Sequence, residues 1–532
     1  MQGIIEYHGA KQVLHNTAQQ IDSDQFIPGD EVVLENGKSH LLKRQEQAVI
    51  GIVSKIQTKA TLYVPNFGLT CRFTPQIENN QYQIGTRLVL WLHKDGQIEV
   101  KGNYPESAFY DAAIITHMYG LTREQPPAIE HQGPNLYTID EVVNHDDLDT
   151  FTIDPATSKD FDDAITVDPV NRIVYVHIVD IANQELTEAD QRRLKERCLT
   201  LYLSNEHTEH LIEDVDALSL VVGKKRKVIT VKVTLDEGGL VANYDIYKST
   251  IVVKNRYNYD NVPANPQIQF LIDLTKQRSS NVNYNINLPS IRVLSDNQGI
   301  PESVKSESTN DINHSLVATA MILANLMVSK HLQTKQVKLP NRFHDSLRGF
   351  KEPQFNQTGN DHVDSFIMVK RYARAHYSID EKGHFGLGLT DYVHFTSPMR
   401  RYADVLVHKI LAGVSIDNLE SQIKWLNHRA SVVRAAQDIY INWKVMRWLQ
   451  SNDEPRQIWV TGVSNSGILW FMPSFSLNGF IHVSNLEPKQ YWKYDQAKEQ
   501  LQGQTTIGIG AQLLVDIAQI DSIKSQVALK MR

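Results

Sequence analysis

The chain contains little cysteine: only Cys71 and Cys198 among 532 residues. They are far apart and form no CxxC pattern, so the sequence predicts neither a disulfide scaffold nor a zinc site and favours a reducing, cytoplasmic environment. Long apolar runs are also scarce. Met1–His15 has no apolar segment of the signal-peptide type. The most apolar stretch, Leu316–Val328, is interrupted by Asn325 and is shorter than the ~20 apolar residues of a membrane helix. We therefore expect a buried core helix there and no membrane segment.

An excess of positive charge is missing as well. The formal net charge is −7, whereas nucleic-acid-binding proteins are often basic overall. The total charge therefore argues against nucleic acid, although a local basic groove can bind phosphates within an acidic protein. Arg192-Arg193, Lys224–Lys227 and Arg400-Arg401 are local clusters of basic residues, each of which by itself is more typical of a solvated surface.

The pattern of short strands and longer helices predicts several domains. Hydrophobic residues make up 41% of the chain, which is enough for packed cores. Short strands separated by turns predict two small β units, 1–45 and 46–105, followed by a helical linker at 106–146. Strands followed by helices predict an α+β domain over 147–450. The last residues, 455–532, return to short strands.

Apolar periodicity predicts the main helices of the central domain. Apolar residues at three- and four-residue spacing favour helices over Val363–Tyr377, Tyr402–Ala412 and Leu419–Leu449. Ile173–Ile181 is nearly continuously apolar, as in a strand that is buried on both faces.

Four aspartates, Asp154, Asp160, Asp162 and Asp163, lie within ten residues. A strand ends before them and another begins after them, so the loop between can fold back and bring the carboxylates together. Converging carboxylates repel each other and favour protonation. A divalent cation removes that penalty, and Mg²⁺ suits a site made of oxygen ligands. The alternative is a polar loop with Asp at turn and cap positions; the calcium-loop pattern D-x-[DN]-x-[DN]-G is absent.

A second segment, Tyr392–Asp404, contains Pro398 directly before a predicted helix. Arg400 and Arg401 then fall in the first helical turn, where positive charge opposes the helix dipole. A bound anion such as a phosphate would offset this conflict. A structural ion pair with an acidic residue of the protein would do the same.

Together the two segments resemble the signatures of the ribonuclease II / ribonuclease R (RNB) family of 3′→5′ exoribonucleases. Asp-x5-Asp-x-Asp-Asp at 154–163 is similar to the family's metal motif, and 384–404 is similar to its second signature. The resemblance extends from about Asp147 to Leu449. The β units resemble OB-fold barrels, of cold-shock type at the N-terminus and S1 type at the C-terminus. The implied architecture is multidomain, an α+β RNB catalytic domain flanked by all-β OB-fold barrels.

The resemblance also implies a function and a set of site residues. The activity would be processive 3′→5′ hydrolysis of single-stranded RNA to nucleoside 5′-monophosphates by a monomer that uses Mg²⁺, with Mn²⁺ as an alternative. All four aspartates would hold the metal, and Asp162, Asp163 and Arg400 would be catalytic. Contacts to RNA would come from Tyr202, Tyr259 and Arg401.

Several positions depart from the family pattern. An acidic pair of bacterial members corresponds here to Ala318-Thr319, a stacking aromatic to Ile286, and a glutamate to Gln437. These changes predict weaker RNA affinity or a different final product length. Two other functions stay open: a catalytically silent RNA-binding protein with the RNB fold, and a translation-type RNA-binding factor that ends in an S1 domain.

Overall fold

The structure is a computed structural model. It describes residues 2–532 except 9–10, 15–19, 22–25, 27–29, 36–37, 45, 57–59, 65–71, 74–81, 121–129, 185, 204–207, 280–285, 308–311, 346–356, 381–382 and 522–525. Cys71 therefore lies outside the described residues, whereas Cys198 is a buried free thiol.

Two antiparallel sheets form the N-terminal region. Their strands are β1 (Gln2–His8), β2 (Lys11–Leu14), β3 (Gln20–Ile21), β4 (Glu31–Glu35), β5 (Lys38–Lys43), β6 (Gln47–Ile56), β7 (Ala60–Tyr63), β8 (Arg72–Phe73), β9 (Arg87–Leu92) and β10 (Ile98–Tyr104). The first sheet has the order β3-β2-β1-β4-β5 and the second β10-β9-β6-β7-β8. All six residues of β9 are buried, because this strand packs between its neighbours in the second sheet and the helix that follows.

A closed barrel with the strand order β12-β13-β14-β17-β18 forms the centre of the chain. The strands of this region are β11 (Glu130–Gln132), β12 (Ile139–Asp154), β13 (Asp163–Asp168), β14 (Ile173–Val179), β15 (Leu201–Tyr202), β16 (Thr208–Glu209), β17 (Lys225–Leu235) and β18 (Val241–Asn258). The run Ile173–Ile181 is a buried strand up to Val179, as its composition predicts. Long strands β12 and β18 close the barrel by parallel pairing.

Helices and short strands pack around the barrel and between it and the flanking sheets. They are α1 (Asp111–Gly120), α2 (Glu188–Arg197), α3 (Val215–Leu218), α4 (Pro266–Ser279), β19 (Ser290–Ser295), β20 (Pro301–Glu307), α5 (Ile312–Thr334), β21 (Asn341–Phe343), α6 (Asp361–Arg371), β22 (His376–Ser378), α7 (Tyr402–Leu411), β23 (Val414–Ile416) and α8 (Leu419–Gln450). By length and apolar content α5 could cross a bilayer, but 61% of its most apolar window is buried inside the protein. Its apolar residues belong to the same core as the barrel.

The predicted helix over Val363–Tyr377 is wrong at its C-terminal end. Helix α6 ends at Arg371, and Tyr372 is already extended. His376–Ser378 instead forms β22, antiparallel to β21. The periodic spacing continues into this strand, but the partner strand supplied from elsewhere in the chain decides the conformation.

The C-terminal region returns to strands, so the α+β centre with sheet-rich flanks is confirmed. Its strands are β24 (Arg456–Ser464), β25 (Gly467–Met472), β26 (Leu477–His482), β27 (Lys493–Asp495), β28 (Gln500–Gln502), β29 (Thr506–Gly508), β30 (Gln512–Asp521) and β31 (Gln526–Met531). The larger sheet has the order β26-β25-β24-β30-β31. Its core continues into the last turns of α8, whose Val445, Met446 and Leu449 pack against it.

A buried ionic cluster ties the N-terminal sheets to α8. Asp111, fully buried at the start of α1, contacts Arg87 of β9. Its Oδ2 also lies 3.0 Å from Lys444 Nζ and 3.3 Å from Arg447 Nε, both on α8. Lys444 Nζ further donates to the carbonyl of Gly299, at 2.6 Å, in the turn between β19 and β20. One carboxylate thus connects the N-terminal sheets with α8.

Candidate active site

The four aspartates lie at one end of the central barrel. Asp154 is the last residue of β12 and Asp163 the first of β13, and these two strands are antiparallel neighbours. The loop between them carries Asp160 and Asp162, and the Asp162 side chain is only 3% exposed. The strand-loop-strand arrangement predicted from the sequence is therefore present.

The loop is held by residues that the sequence analysis did not single out. Arg256 of β18 donates from Nη2 to the carbonyls of Pro155, Ala156 and Ser158, at 3.5, 3.2 and 3.2 Å. From the other side, Ser219 Oγ donates to the carbonyl of Lys159 at 3.0 Å. It also accepts the N–H of Phe161 at 3.2 Å. Because both residues come from distant parts of the chain, no local pattern in the aspartate loop points to them.

The second signature meets the loop at Asp162. The N–H of Met399 donates to Asp162 Oδ1 at 2.7 Å, and Arg400 Nε lies 3.6 Å from Asp162 Oδ2. The side chain of Arg400 is still 46% exposed, so its guanidinium faces both the carboxylate and solvent. Helix α7 begins only at Tyr402, with Arg401 as its N-cap. The expectation that both arginines lie in the first helical turn is therefore wrong.

Burial and mutual repulsion make the carboxylates costly to ionise. Burial raises the pKa of Asp162 to about 8, with Asp160 and Asp163 adding to the rise, while Arg400 and the Met399 N–H oppose it. Burial and the charge of Asp163 also raise the pKa of Asp154. Burial is the main cause of the raised pKa of Asp163. A nearby cation would lower all three values, because it favours the charged forms.

The donor chemistry of this site fits a hard divalent cation. The Oδ2 atoms of Asp154 and Asp162 are buried and accept no hydrogen bond, and carboxylate oxygens are the ligands that Mg²⁺ prefers. As the side chains stand, however, no group of three or more His, Cys, Asp or Glu residues in the described part of the chain is placed to hold an ion. The oxygen atoms are therefore available, but they do not form a complete coordination set without side-chain adjustment.

Tyr202 lies beside the carboxylates on the exposed side. Its hydroxyl donates to Asp160 Oδ2 at 2.5 Å, and the side chain is 38% exposed. Gln437 Nε2 of α8 donates to the carbonyl of Tyr202 at 3.1 Å. His210 is a further neighbour that the sequence analysis missed, with Nδ1 4.0 Å from Asp160 Oδ2. Tyr202 is thus a partly exposed aromatic ring linked directly to one of the aspartates.

Tyr259 and Arg401 have protein partners. Tyr259 follows Asn258, the residue of β18 that pairs with Asp154, and therefore belongs to the same end of the barrel. Its ring stacks on His314 with 3.7 Å between centroids. Arg401 donates from Nε and Nη2 to the two carboxylate oxygens of the fully buried Asp404, at 2.9 and 2.8 Å. The sequence allowed either a bound phosphate or an internal ion pair to offset the arginine charge. Arg401 forms the internal ion pair, with Asp404.

The domain that contains this barrel matches a known protein family. The family described as RNB domain matches residues 143–416, just over half of the chain. The chain belongs to the RNB-domain family. The resemblance to the ribonuclease II / ribonuclease R family that the two motifs carry is thereby confirmed.

Individual relatives agree with the RNB assignment. Ribonuclease R of Chlamydia muridarum is 27% identical over 379 residues, which are 60% of this chain and 54% of that protein. The chain thus spans about half the length of the curated relatives it matches. RNase R of Mycoplasma genitalium, solved with ribose-methylated single-stranded RNA, superposes with a TM-score of 0.77 at 17% identity and covers both chains completely. Yeast Ssd1, described as a pseudonuclease, superposes with a TM-score of 0.67 at 16% identity over 87% of this chain and 69% of that one.

Ala318, Thr319, Ile286 and Gln437 replace acidic or aromatic residues of the family pattern. None of these four side chains is itself acidic or aromatic. Ala318 is exposed on α5, whereas Thr319 is buried in the core. Ile286 is partly buried before β19. Only Gln437 has a visible task near the site, as the donor to the Tyr202 carbonyl.

Proposed function

We propose that this chain is a divalent-metal-dependent 3′→5′ exoribonuclease that hydrolyses single-stranded RNA processively to nucleoside 5′-monophosphates. Membership of the RNB family and the relatives named ribonuclease R support the proposal. The observation that carries it is the group of mutually repelling, buried or partly buried carboxylates around Asp162, with a half-exposed guanidinium 3.6 Å from Asp162. A silent descendant has no use for such a costly arrangement.

Asp154, Asp160, Asp162 and Asp163 would hold the metal ion, with Mg²⁺ as the expected ion and Mn²⁺ as an alternative. When bound, such an ion lowers the pKa of a coordinated water and offsets phosphate charge. The N–H of Met399 would keep Asp162 in a fixed orientation. Arg400 would contact the scissile phosphate, and a preorganised donor of this kind contributes about 10²–10³ in rate.

Tyr202 would pack against the base at the 3′ end. Stacking accepts every base and contributes about 1–3 kcal/mol for each. That tolerance suits an enzyme that digests any sequence. Its hydrogen bond to Asp160 would couple the position of the terminal nucleotide to the metal site. Tyr259 is proposed as a weaker contact near the site. The exposed edge of Arg401 is proposed as a contact to the RNA backbone.

The sheet-rich flanks would act as OB-fold units that guide single strands to the barrel, cold-shock-like at the N-terminus and S1-like at the C-terminus. In the C-terminal region, Trp459, Trp470, Phe471 and Phe475 are buried, whereas Phe480 is 47% exposed. Phe480 is therefore the aromatic of this group that is available to stack on a base.

Two observations support a second candidate function. The fold is shared with a protein described as a pseudonuclease, and Ala318 replaces an acidic residue of the family pattern. A catalytically silent RNA-binding protein with the RNB fold is the alternative. The retained aspartates and Arg400 favour the enzyme, because a silent protein is free to lose them.

A time course on 5′-labelled RNA separates the two functions. Single-stranded and duplex 30-mers are incubated with Mg²⁺, Mn²⁺ or EDTA, and products are resolved on a denaturing gel. We expect the labelled single strand to be shortened from its 3′ end only when metal is present. Asp162→Asn should abolish hydrolysis and spare RNA binding, while Asp168→Asn, at the opposite end of β13, should retain activity. RNA binding without nucleotide release under any metal condition would rule out the enzyme.

A further inference from the structure

Arg342 is held over a buried aromatic platform. It lies at the centre of β21, paired with Tyr377 of β22, and its N–H donates to the carbonyl of Tyr392 at 2.8 Å. Its guanidinium carbon is 4.9 Å from the centroid of the Tyr377 ring. Tyr377 is itself buried, and its hydroxyl bonds to His394 Nδ1 at 2.8 Å. The position of this guanidinium is therefore set by a rigid, well-packed surface.

The charge of Arg342 has no counter-charge within the part of the chain that the structure describes. No carboxylate there forms an ion pair or hydrogen bond with it. Its charged neighbours are Arg434 and Arg401, which repel it. Burial, and then these two arginines, lower the pKa of Arg342. Arg401 is neutralised by Asp404, so the charge without a nearby carboxylate is that of Arg342, and the exposed Arg434 is its neighbour. An uncompensated, partly buried guanidinium is destabilising unless an anion completes it.

Helix α8 fixes Arg434 relative to Arg342. Asn427 of α8 accepts the N–H of Tyr377 at 2.8 Å and donates to its carbonyl at 2.7 Å, which fastens the helix to β22. Arg434 lies seven residues further along α8, on the same helical face. Asp438, one turn later, attracts Arg434 and Arg374 together. Two cations therefore share that single acid.

We propose that Arg342 and Arg434 form a binding site for phosphates of the RNA backbone on the 5′ side of the bond that reaches Arg400. The proposal rests on the proposed function. Arginine suits this task because its planar guanidinium binds phosphate in a bidentate manner. Arg401 follows Arg400 in the sequence and is a charged neighbour of Arg342. An RNA strand that reaches Arg400 would therefore pass Arg342. This site also explains how a chain of net charge −7 retains RNA, since β21 and α8 assemble cations that are far apart in the sequence.

Salt dependence of binding tests the site without requiring catalysis. Affinity for a 5′-fluorescein oligo(A) 20-mer is measured by anisotropy in EDTA from 50 to 200 mM KCl. Each phosphate contact on a single strand contributes about 0.7 to the slope of log K against log salt. We expect Arg342→Gln and Arg434→Gln each to reduce the slope by about 0.7 and to weaken binding about threefold to tenfold at 100 mM KCl.

Two further variants separate charge from structure. Arg342→Lys keeps the charge and should keep the wild-type slope. Arg172→Gln removes an arginine from the β13–β14 turn, at the barrel end opposite Asp163, and should change neither slope nor affinity. Thermal unfolding checks each variant, and the exposed Arg434 keeps the test decisive if Arg342→Gln does not fold.

Each outcome supports or overturns a defined claim. Wild-type slopes in both glutamine variants would overturn the phosphate site, and so would an Arg342→Lys slope as low as that of Arg342→Gln. If the wild type binds RNA but does not hydrolyse it, the nuclease proposal fails and the phosphate site stands or falls on its own slopes. Absence of any wild-type binding overturns both.

Discussion

Replacing Asp162 with asparagine should stabilise the metal-free protein while it abolishes activity. Asp162 is a buried acid whose Oδ2 accepts no hydrogen bond, so its negative charge destabilises the folded protein when no cation is bound. Asparagine has nearly the same shape and keeps an oxygen that can accept the Met399 N–H. The difference in the free energy of unfolding between the two proteins therefore measures the destabilising effect of the Asp162 charge alone.

The magnitude follows from the raised pKa. An increase from 3.8 to about 8 corresponds to at most roughly 6 kcal/mol against the ionised form, at about 1.4 kcal/mol for each pKa unit. The attraction of Arg400 is already included, and a half-exposed pair contributes about 1 kcal/mol or less. Because water and side-chain relaxation reduce such penalties, we expect the variant to raise the free energy of unfolding by about 1–3 kcal/mol.

Thermal unfolding in EDTA at pH 6 and pH 9 measures this gain. The native pKa of Asp162 lies above its unfolded value, so the native state binds more protons between about pH 4 and pH 8. Wild-type stability therefore falls as pH rises through that window. Asparagine does not titrate, so its advantage should be larger at pH 9. For a domain of 150–250 residues, each kcal/mol raises Tm by about 2–4 °C.

Asp404→Asn is the matched control, and it should lower the free energy of unfolding instead of raising it. Asp404 is equally buried, but it accepts two hydrogen bonds from Arg401 and one from the Ser397 N–H. Its neutralisation leaves the partly buried guanidinium of Arg401 without its charge partner, which costs up to about 3–5 kcal/mol. A lower Tm for Asp162→Asn than for wild type at pH 9, or a gain that does not depend on pH, would refute the reasoning.

Three further predictions concern activity. Arg400→Ala should lower kcat by about 10²–10³ in single-turnover hydrolysis, while affinity for RNA in EDTA changes only a few-fold; a loss confined to affinity would contradict its assignment to the scissile phosphate. Tyr202→Ala should weaken binding of a 5′-labelled 10-mer by about 1–3 kcal/mol, and Tyr202→Phe should retain most of the affinity because the ring remains; equal losses in both variants would argue against stacking. The departures at Ala318 and Ile286 should give weaker affinity or a final product length that differs from that of typical relatives, as read from the limit digest of a labelled 30-mer, and products at the usual short limit would refute this.

Much of the candidate site follows from the sequence because its parts are local. Asp154 to Asp163 are separated by one loop between adjacent strands, so any fold that pairs those strands brings the loop ends together. The second signature likewise brings Arg400 to the site as one short segment. The tertiary supports could not be predicted in this way. Arg256, Ser219 and His210 reach the loop from other elements, and nothing in their local sequence distinguishes them from surface residues.

The predicted ends of helices were wrong where contacts with distant parts of the chain override the local apolar periodicity. The periodicity of Val363–Tyr377 is helical throughout, yet β21 recruits His376–Ser378 into a hairpin-like pair. Arg401 stays outside α7 because its guanidinium is committed to Asp404, one turn into the helix. The phosphate site proposed at Arg342 was equally invisible, since its two arginines are brought together only by packing of α8 on β22.

The ionic cluster at Asp111 bears on how this family can be re-engineered. Lys444 is 1% exposed and relies on that carboxylate for its counter-charge. A truncation that starts after α1 would remove both Asp111 and the Ala108 carbonyl that hold this ammonium, on the helix that also supports Tyr202. The N-terminal sheets are therefore not an interchangeable module, and any chimera should carry Asp111 and Lys444 as a matched pair from the same parent.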